Sequence, residues 1–257
     1  MANWTAFPFI GDYVFDAASV KENWARLHAG DAEPLPQDNK VLEAWALFHN
    51  GEFQKALNMG IQIGGDGLTV ANKSACIYAT YLEKQERNRL DLYMEVVRRA
   101  EAQAQANPLN VNAHYWQAYA LGRYSQVISV AKALAQGLGT KVKDSLENVI
   151  KLQPNHADAH IALGAFHAEV IDKVGSLIGG MTYGAKKDTG LALLQEALKL
   201  NFYSAIGMSE YANAMVMLDG DKMIEAATRL YQQAAAAKPI DAMERLDVEM
   251  AKIELKD

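Results

Sequence analysis

Three histidines in the stretch LQPNHADAHIALGAFHAEV, residues 152–170, have a spacing that could support metal chemistry. His156, His160 and His167 are four and seven residues apart, and both intervals return to nearly the same face of an α-helix. A zinc site would need a further ligand, and a catalytic one also an open coordination position. The alternative is that His160 and His167 are part-buried imidazoles hydrogen-bonded to the backbone, while His156 lies at the helix entry beside Asn155, the predicted N-cap. We favour this alternative and predict no metal and no other cofactor.

Other signatures of catalysis are missing from the sequence. It contains no G-x-S-x-G, no H-E-x-x-H and no Cys–His pair at a meaningful spacing. The stretches GLGTK (137–141) and GGMTYGAKK (179–187) have the glycines and lysines of a phosphate loop. Neither follows a predicted strand or matches the pattern G-x-x-x-x-G-K-[ST], so both are predicted to connect helices. We predict no catalytic residues, and a function other than catalysis.

Composition and charge exclude several classes of partner. The formal net charge of −6 over 257 residues argues against nucleic acid, because no basic surface would neutralise phosphates. The single cysteine, Cys76, cannot form an intrachain disulfide and suits a reducing compartment. The start, MANWTAFPFIGDYVF, does not have the pattern of a signal peptide, and no apolar run is long enough to span a membrane. We therefore expect a cytoplasmic protein, or a periplasmic one if a leader has been removed.

Helical periodicity runs through nearly the whole chain, so the predicted fold class is all-α. Good helix formers dominate, and strand-like alternation of β-branched residues is absent. A leading helix over about 16–29 has Asp16 as its predicted N-cap and Val20, Trp24 and Leu27 as its apolar stripe. Two later helices are separated at Asn50-Gly51, and others are predicted to begin after Pro34, Pro108 and Pro154, which gives a string of helix hairpins.

The hairpins recur with a recognisable pattern. The first half of a tetratricopeptide repeat has the pattern W-x2-L-G-x2-Y. The stretch HIALGAFH (160–167) matches its spacing, with His160 and His167 in the two aromatic places. The stretch AATRLYQQAAAAKP (226–239) matches the second half. Small residues at Gly164, Ala197 and Ala234 are predicted at close helix crossings, whereas Leu146, Leu194 and Tyr231 fill the gaps between hairpins. The chain thus resembles a tetratricopeptide repeat (TPR) protein over roughly residues 35–240.

Two long repeats narrow the resemblance. Each is predicted to extend the first helix of its hairpin, followed by a glycine-rich turn and a basic lead into the second helix. With the final KPIDAMERLDVEMAKIEL helix, they resemble the regulator-of-microtubule-dynamics branch and its bacterial relatives, including components of TRAP transporters, over about residues 108–257. This resemblance implies an interaction or ligand-binding solenoid rather than an enzyme. The TRAP-associated members are lipoproteins, and no lipobox cysteine stands near the start of this sequence.

The predicted architecture is a right-handed α-solenoid of about five TPR-like hairpins in a single domain, 1–257. Residues 1–35 form a lead-in with its helix, residues 36–239 the repeats, and residues 240–257 a C-terminal capping helix. In such solenoids the first helix of each hairpin lines a concave groove, which binds a peptide segment or a partner protein. The alternative function is a carrier of a small-molecule or lipid-like ligand, held between the extended helices.

The predicted groove residues follow from that architecture. On the helix NVNAHYWQAYALGRYSQ they are spaced by three, four and four residues, and neighbouring repeats contribute the rest. Exposed tyrosines beside one arginine suit an amphipathic or aromatic segment of a partner. The alternative is that Tyr115 and Tyr119 pack on the next hairpin or on the inserted loop. The full set of predicted partner-binding residues is Trp45, His49, Asn112, Tyr115, Tyr119, Arg123, Asp158 and Glu169.

Overall fold

The computed structural model describes residues 4–256, and all regular structure within them is helical. This confirms the all-α prediction. None of the helices in that range is both long enough and apolar enough to cross a membrane. The chain divides into two compact units. The first contains residues 4–28, Glu33–Val127 and Ile240–Met243, and the second contains Ala29–Ala32, Ile128–Pro239 and residues 244–256. The prediction of a single domain over 1–257 remains a prediction.

The leading helix is two short helices rather than one. Asp16 caps α1 (Ala17–Glu22) as predicted, in a capping box whose other member is Ser19. The helix ends at Asn23, whose backbone leaves helical geometry, and α2 (Trp24–Leu27) follows. The predicted apolar stripe is nevertheless buried, with Val20 at 0%, Trp24 at 7% and Leu27 at 6% exposure.

The first unit continues with long helices in pairs. The Asn50-Gly51 break is confirmed, since Gly51 adopts φ +83° and Phe7 packs against it where a β-carbon would lie. Its helices are α3 (Asn39–His49), α4 (Phe53–Ile63), α5 (Gly67–Tyr81), α6 (Glu86–Ala106) and α7 (Val111–Ile128), of which Ile128 is counted in the second unit. Helices α3 and α4 pack together, as do α5 and α6, and α3 also contacts α5.

The second unit holds the extended repeat that begins after Pro154 and the latter half of the one that begins after Pro108. A short helix that the sequence did not predict, α8, precedes the left-handed Gly137, and α9 starts directly after it. Helix α10 is extended as predicted, with a break at Gly175 (φ +80°, ψ 157°) and an end at Gly184. The helices are α8 (Val130–Ala135), α9 (Leu138–Leu152), α10 (Ala157–Tyr183), α11 (Lys187–Leu200), α12 (Ala205–Asp219), α13 (Ile224–Ala236) and α14 (Ala242–Glu254).

Four of the five predicted hairpins consist of directly packed helices. They are α3/α4, α5/α6, α10/α11 and α12/α13. The fifth would join α7 and α9, which belong mainly to different units. Helix α14 lies where the capping helix was predicted, and its Val248 and Ala251 form one buried cluster with Ala205 and Ala234.

The close helix crossing predicted at Gly164 is confirmed. A β-carbon at this position would lie 2.6 Å from Leu194 Cγ and 2.9 Å from the Gly190 carbonyl oxygen. Leu194 and Ala197 on α11 are completely buried. Helices α10 and α11 therefore approach each other through a position where only hydrogen fits.

Larger side chains at these crossings are expected to destabilise the second unit. Replacing Gly164 or Ala234 (0% exposed) by Leu should lower the free energy of unfolding by about 1–3 kcal/mol, because the core must move to admit the extra atoms. Far-UV circular dichroism during urea unfolding measures the change. Gly122→Leu in α7 is the matched control, since a β-carbon there meets nothing within 4 Å. Stability equal to wild type in Gly164→Leu would contradict the assignment of the crossing.

Candidate functional site

The predicted groove residues on α7 are largely covered. Asn112 is 2% and Tyr115 4% exposed, so the expectation that they face an open groove is wrong. Tyr119 and Arg123, farther along the same helix, are partly exposed. The Arg123 guanidinium lies over the Tyr119 ring, 5.2 Å from its centroid. The exposed part of this helix face is therefore a cation–π pair of Arg123 and Tyr119 rather than a row of exposed tyrosines.

The reason is that the chain's own lead-in lies on this face of the first unit. The Asn112 side-chain amide donates a hydrogen bond to the Glu33 carboxylate. The Trp24 indole N–H donates to the Glu33 carbonyl oxygen at 2.8 Å, so Glu33 is held at both its side chain and its backbone. The sequence pattern correctly identified the helix face but not the segment that covers it.

Trp45 and His49, the predicted groove residues of the first hairpin, are both 0% exposed. His49 Nδ1 donates to an Asp241 carboxylate oxygen at 2.7 Å, and Asp241 is itself 2% exposed. The His28 ring meets Trp45 edge-on at 4.5 Å between centroids and His49 at 5.4 Å. These two predicted contact residues are therefore core residues, and the expectation of exposure is wrong for both.

A lysine that the sequence analysis did not single out lies inside the same core. Lys73 on α5 is 1% exposed, and its ammonium group lies over the rings of Trp45, Phe48 and Trp116 at 5.5, 5.2 and 5.9 Å. Aromatic faces attract a desolvated cation, and this attraction helps to accommodate the lysine. No local signal distinguishes it from a surface lysine, because the three rings come from two other helices, α3 and α7.

The Tyr119 hydroxyl group is hydrogen-bonded within the first unit. That hydroxyl lies 3.2 Å from Thr80 Oγ1, which in turn lies 3.0 Å from the Tyr93 hydroxyl. Burial raises the pKa of both Tyr93 and Tyr119, because the phenolate would be poorly solvated. Both tyrosines therefore act as neutral hydrogen-bonding groups.

Asp158 and Glu169, the predicted groove residues of the second unit, lie on α10 and are partly exposed. The Asp158 backbone N–H donates to the Gly30 carbonyl oxygen at 3.0 Å. The Asp158 carboxylate occupies the space where a β-carbon of Gly30 would lie. The lead-in thus also contacts the predicted face of this unit, at Asp158.

His160 and His167 hydrogen-bond to the backbone as predicted, and His156 does so as well. His156 Nδ1 accepts from the Ala159 N–H at 3.1 Å, so His156 rather than the predicted Asn155 is the N-cap of α10. His160 Nε2 donates to the Pro154 carbonyl oxygen at 2.9 Å. His167 Nδ1 accepts from the Lys186 N–H at 3.0 Å. Across residues 4–256, no three His, Cys, Asp or Glu side chains are grouped so that they could hold a metal ion.

An open groove that the sequence analysis missed lies along α11 in the second unit. It has a volume of about 470 Å³. One face of α11 forms it, with His160 of α10 beside that face; the lining residues are His160, Asp188, Thr189, Ala192, Leu193 and Glu196. Two carboxylates thus bracket a small apolar strip. Glu196 is paired with Lys199 at 2.8 Å, and this hydrogen bond lowers the pKa of its carboxyl group.

Comparison with known proteins identifies the family. The model of the family "Regulator of microtubule dynamics protein 1-3" matches residues 43–176, which are 134 of the 257 residues. The chain belongs to the regulator of microtubule dynamics family. This confirms the predicted branch, although the match begins at residue 43 rather than near residue 108. No protein with a curated description matches the chain.

A solved structure supports the same fold. The crystal structure of TTC0263, a thermophilic TPR protein of Thermus thermophilus, superposes with a TM-score of 0.58 at 16% identity, covering 84% of this chain and 98% of that one. At this identity the likeness concerns the fold alone. It confirms the predicted α-solenoid class of TPR-like hairpins. Scaffolds of this kind generally mediate protein interactions and are generally non-catalytic.

The buried contact between His49 and Asp241 is expected to stabilise the first unit of this regulator of microtubule dynamics homologue. Asp241→Ala leaves the His49 Nδ1–H buried without its acceptor, which should cost about 1–3 kcal/mol of unfolding free energy. All four tryptophans lie in the first unit, so tryptophan fluorescence during urea unfolding follows this unit specifically. The control Asp91→Ala removes an exposed aspartate of α6 in the same unit and should change stability by less than about 0.5 kcal/mol. Equal midpoints for the two variants would refute the role of this contact.

The pKa of His167 predicts an acid-sensitive term in the stability of the second unit. Burial, followed by the nearby charge of Lys143, lowers the pKa of this imidazole below its ordinary value of 6.5. The unfolded chain therefore binds a proton more readily than the folded one, and stability is lost as the pH falls from about 6.5 toward the folded pKa. His167→Asn keeps an acceptor near the Lys186 N–H but cannot titrate.

The test compares urea unfolding of wild type and His167→Asn by circular dichroism across pH 7 to 5, a window that brackets the ordinary histidine pKa of about 6.5. The wild type should lose more stability than the variant over that range. The difference between the two proteins removes the contribution of the other histidines. Parallel curves for the two proteins would show that the imidazole of His167 is not the group responsible.

Proposed function

We propose that the chain is a non-catalytic scaffold that binds a peptide segment or a partner protein. Membership of the family and the TPR-like fold support this class of function. The single observation that carries a binding mode is the open groove along α11, because it combines an apolar strip with charged groups at both ends. A cytoplasmic location for this interaction remains a prediction.

The groove geometry favours a partner of particular chemistry. Asp188 and Glu196 are eight residues apart on α11, which corresponds to about 12 Å along a helix. About four residues of extended chain cover the same distance. A partner segment with two basic residues four positions apart and an apolar residue between them would place each basic side chain near one carboxylate of the groove. The apolar residue would then contact Ala192 and Leu193.

The alternative function, a carrier of small-molecule or lipid-like ligands, has less support from this groove. Carrier pockets bury most of the ligand surface. The α11 groove is open to solvent along its length and bracketed by carboxylates, which suits a polypeptide better than an acyl chain. Tyr119, Arg123, Asp158 and Glu169 keep partial exposure and stay candidates for additional partner contacts.

The test uses fluorescence anisotropy with labelled peptides of the form Lys-x-Leu-x-Lys, in which the middle positions are varied. The double variant Asp188→Lys, Glu196→Lys reverses both charges in the groove and should weaken binding at least about tenfold, because attraction becomes repulsion at both ends. The matched control is Asp91→Lys, Glu101→Lys, which makes the same charge change on exposed positions of α6. Only the groove variant should lose affinity.

Two outcomes would contradict the proposed groove. Either no peptide of this form binds the wild type, or the groove variant and the α6 control bind equally well. Cross-linking in native lysate followed by mass spectrometry then tests the broader scaffold function. If partners cross-link equally to wild type and groove variant, the scaffold function is retained and the binding face lies elsewhere.

A further inference from the structure

The end of α10 is a separate helical segment with unusual features. The break at Gly175 (φ +80°) and the left-handed Gly184 (φ +67°) bracket residues 176–183, which make about two turns. Gly179 faces inward and is buried, and a β-carbon there would be in van der Waals contact with Val170, Ile171 and Ala185. The segment therefore rests on the fold through Gly179 and through Tyr183, whose ring reaches Gly139, while its other large side chains point elsewhere.

Those larger side chains are apolar and face solvent. Leu177 is 73% exposed, Ile178 55% and Met181 82%. Their spacing of one and three residues places all three on one side of the two-turn helix. A group of large apolar side chains exposed to this degree is costly in water and typically marks an interaction surface.

The charges around the segment favour one kind of surface. Residues 174–185 contain no Asp, Glu, Lys or Arg, so the nearest charged residue in the sequence on either side of the segment is a lysine, Lys173 or Lys186. Both of these lysines are exposed. Lys187 follows and is paired with Asp219, while Lys173 is paired with Asp172 at 2.7 Å. An apolar helix face flanked by lysines is the pattern of segments that lie in the interface of a bilayer, where lysine ammonium groups meet lipid phosphates.

We propose that residues 176–183 insert shallowly into the surface of a bilayer that contains anionic lipid. Leu177, Ile178 and Met181 would enter the boundary between headgroups and acyl chains, and Lys173 and Lys186 would contact anionic headgroups. The side chains of this face are all aliphatic, whereas the anchors of protein interfaces are enriched in Trp, Tyr and Arg. The chain as a whole has a formal net charge of −6, so repulsion by the same lipids would disfavour contact through its other, acidic surfaces.

The experiment is co-sedimentation of the full chain with vesicles of equal parts phosphatidylserine and phosphatidylcholine, beside vesicles of phosphatidylcholine alone. Wild type should partition more strongly onto the mixed vesicles. The double variant Leu177→Glu, Met181→Glu should partition at least about tenfold less, since it places two carboxylates in the apolar face. Lys186→Gln should reduce the preference for phosphatidylserine while keeping the apolar contribution.

The matched control is Val14→Glu, Leu109→Glu, which makes the same charge change at residues that are 86% and 74% exposed elsewhere in the chain. It should partition onto vesicles far more strongly than the segment variant, and circular dichroism verifies that both variants are folded. Absence of wild-type binding to the mixed vesicles, or equal binding by both double variants, would overturn the proposal.

A further outcome distinguishes a second copy of the chain from a lipid surface. Light scattering gives the mass of each protein in solution without lipid. If wild type self-associates, the segment variant is monomeric and vesicle binding is absent, then the apolar face is a self-association surface and the membrane proposal is wrong. None of these results depends on peptide binding at α11, so the two proposals fail or succeed separately.

Discussion

The hydrogen bond from the His49 imidazole to the Asp241 carboxylate fixes much of the first unit. It joins residues that are 192 positions apart, and both are almost completely removed from solvent. A buried carboxylate without a hydrogen-bond donor is strongly unfavourable. The segment 240–243 can therefore lie in this core only where a donor such as the His49 imidazole faces Asp241. The contact therefore holds residues 240–243 in the core of the first unit.

The requirement that buried polar groups have partners also explains what happens to the predicted groove. The Trp24 indole N–H and the Asn112 amide both find acceptors on Glu33, and in the second unit the Asp158 N–H finds one on the Gly30 carbonyl. Residues of the lead-in thus supply the polar partners that a peptide ligand supplies in many repeat scaffolds. The burial of Asn112 and Trp45 follows from this internal occupation.

The parts of the fold that sequence reasoning predicted well depend on local signals. Proline positions, Asn50-Gly51 and the small residue at Gly164 indicated helix ends and a crossing, because φ restrictions and the size of one side chain act within a few residues. The exposure of Trp45, His49, Asn112 and Tyr115 was predicted wrongly for the opposite reason. Periodicity shows which face of a helix is special, whereas the segment that covers that face comes from a distant part of the chain.

Lys73 illustrates the same limit more sharply. Its place in α5 is an ordinary position of a helical pattern, whereas the rings of Trp45, Phe48 and Trp116 that surround its ammonium group come from elsewhere in the chain. The N-cap of α10 is a second, smaller example of a feature that the local sequence did not predict. Asn155 has the usual capping chemistry, yet Nδ1 of the neighbouring His156, whose ring is buried, accepts the Ala159 N–H instead.

The extended repeat gives the second unit surface that hairpin packing does not require. From Pro154 to Phe202 the interval is 48 residues, whereas a TPR hairpin needs about 34, which leaves about 14 residues beyond the repeat. In the structure the surplus lengthens α10 beyond the part that packs on α11 at Gly164, and it includes the break at Gly175 and the apolar turn after it. Residues that a fold does not need for its own core are free to keep side chains that suit something else. The apolar face of 176–183 is therefore better explained by a contact outside the chain than by the packing of the repeat.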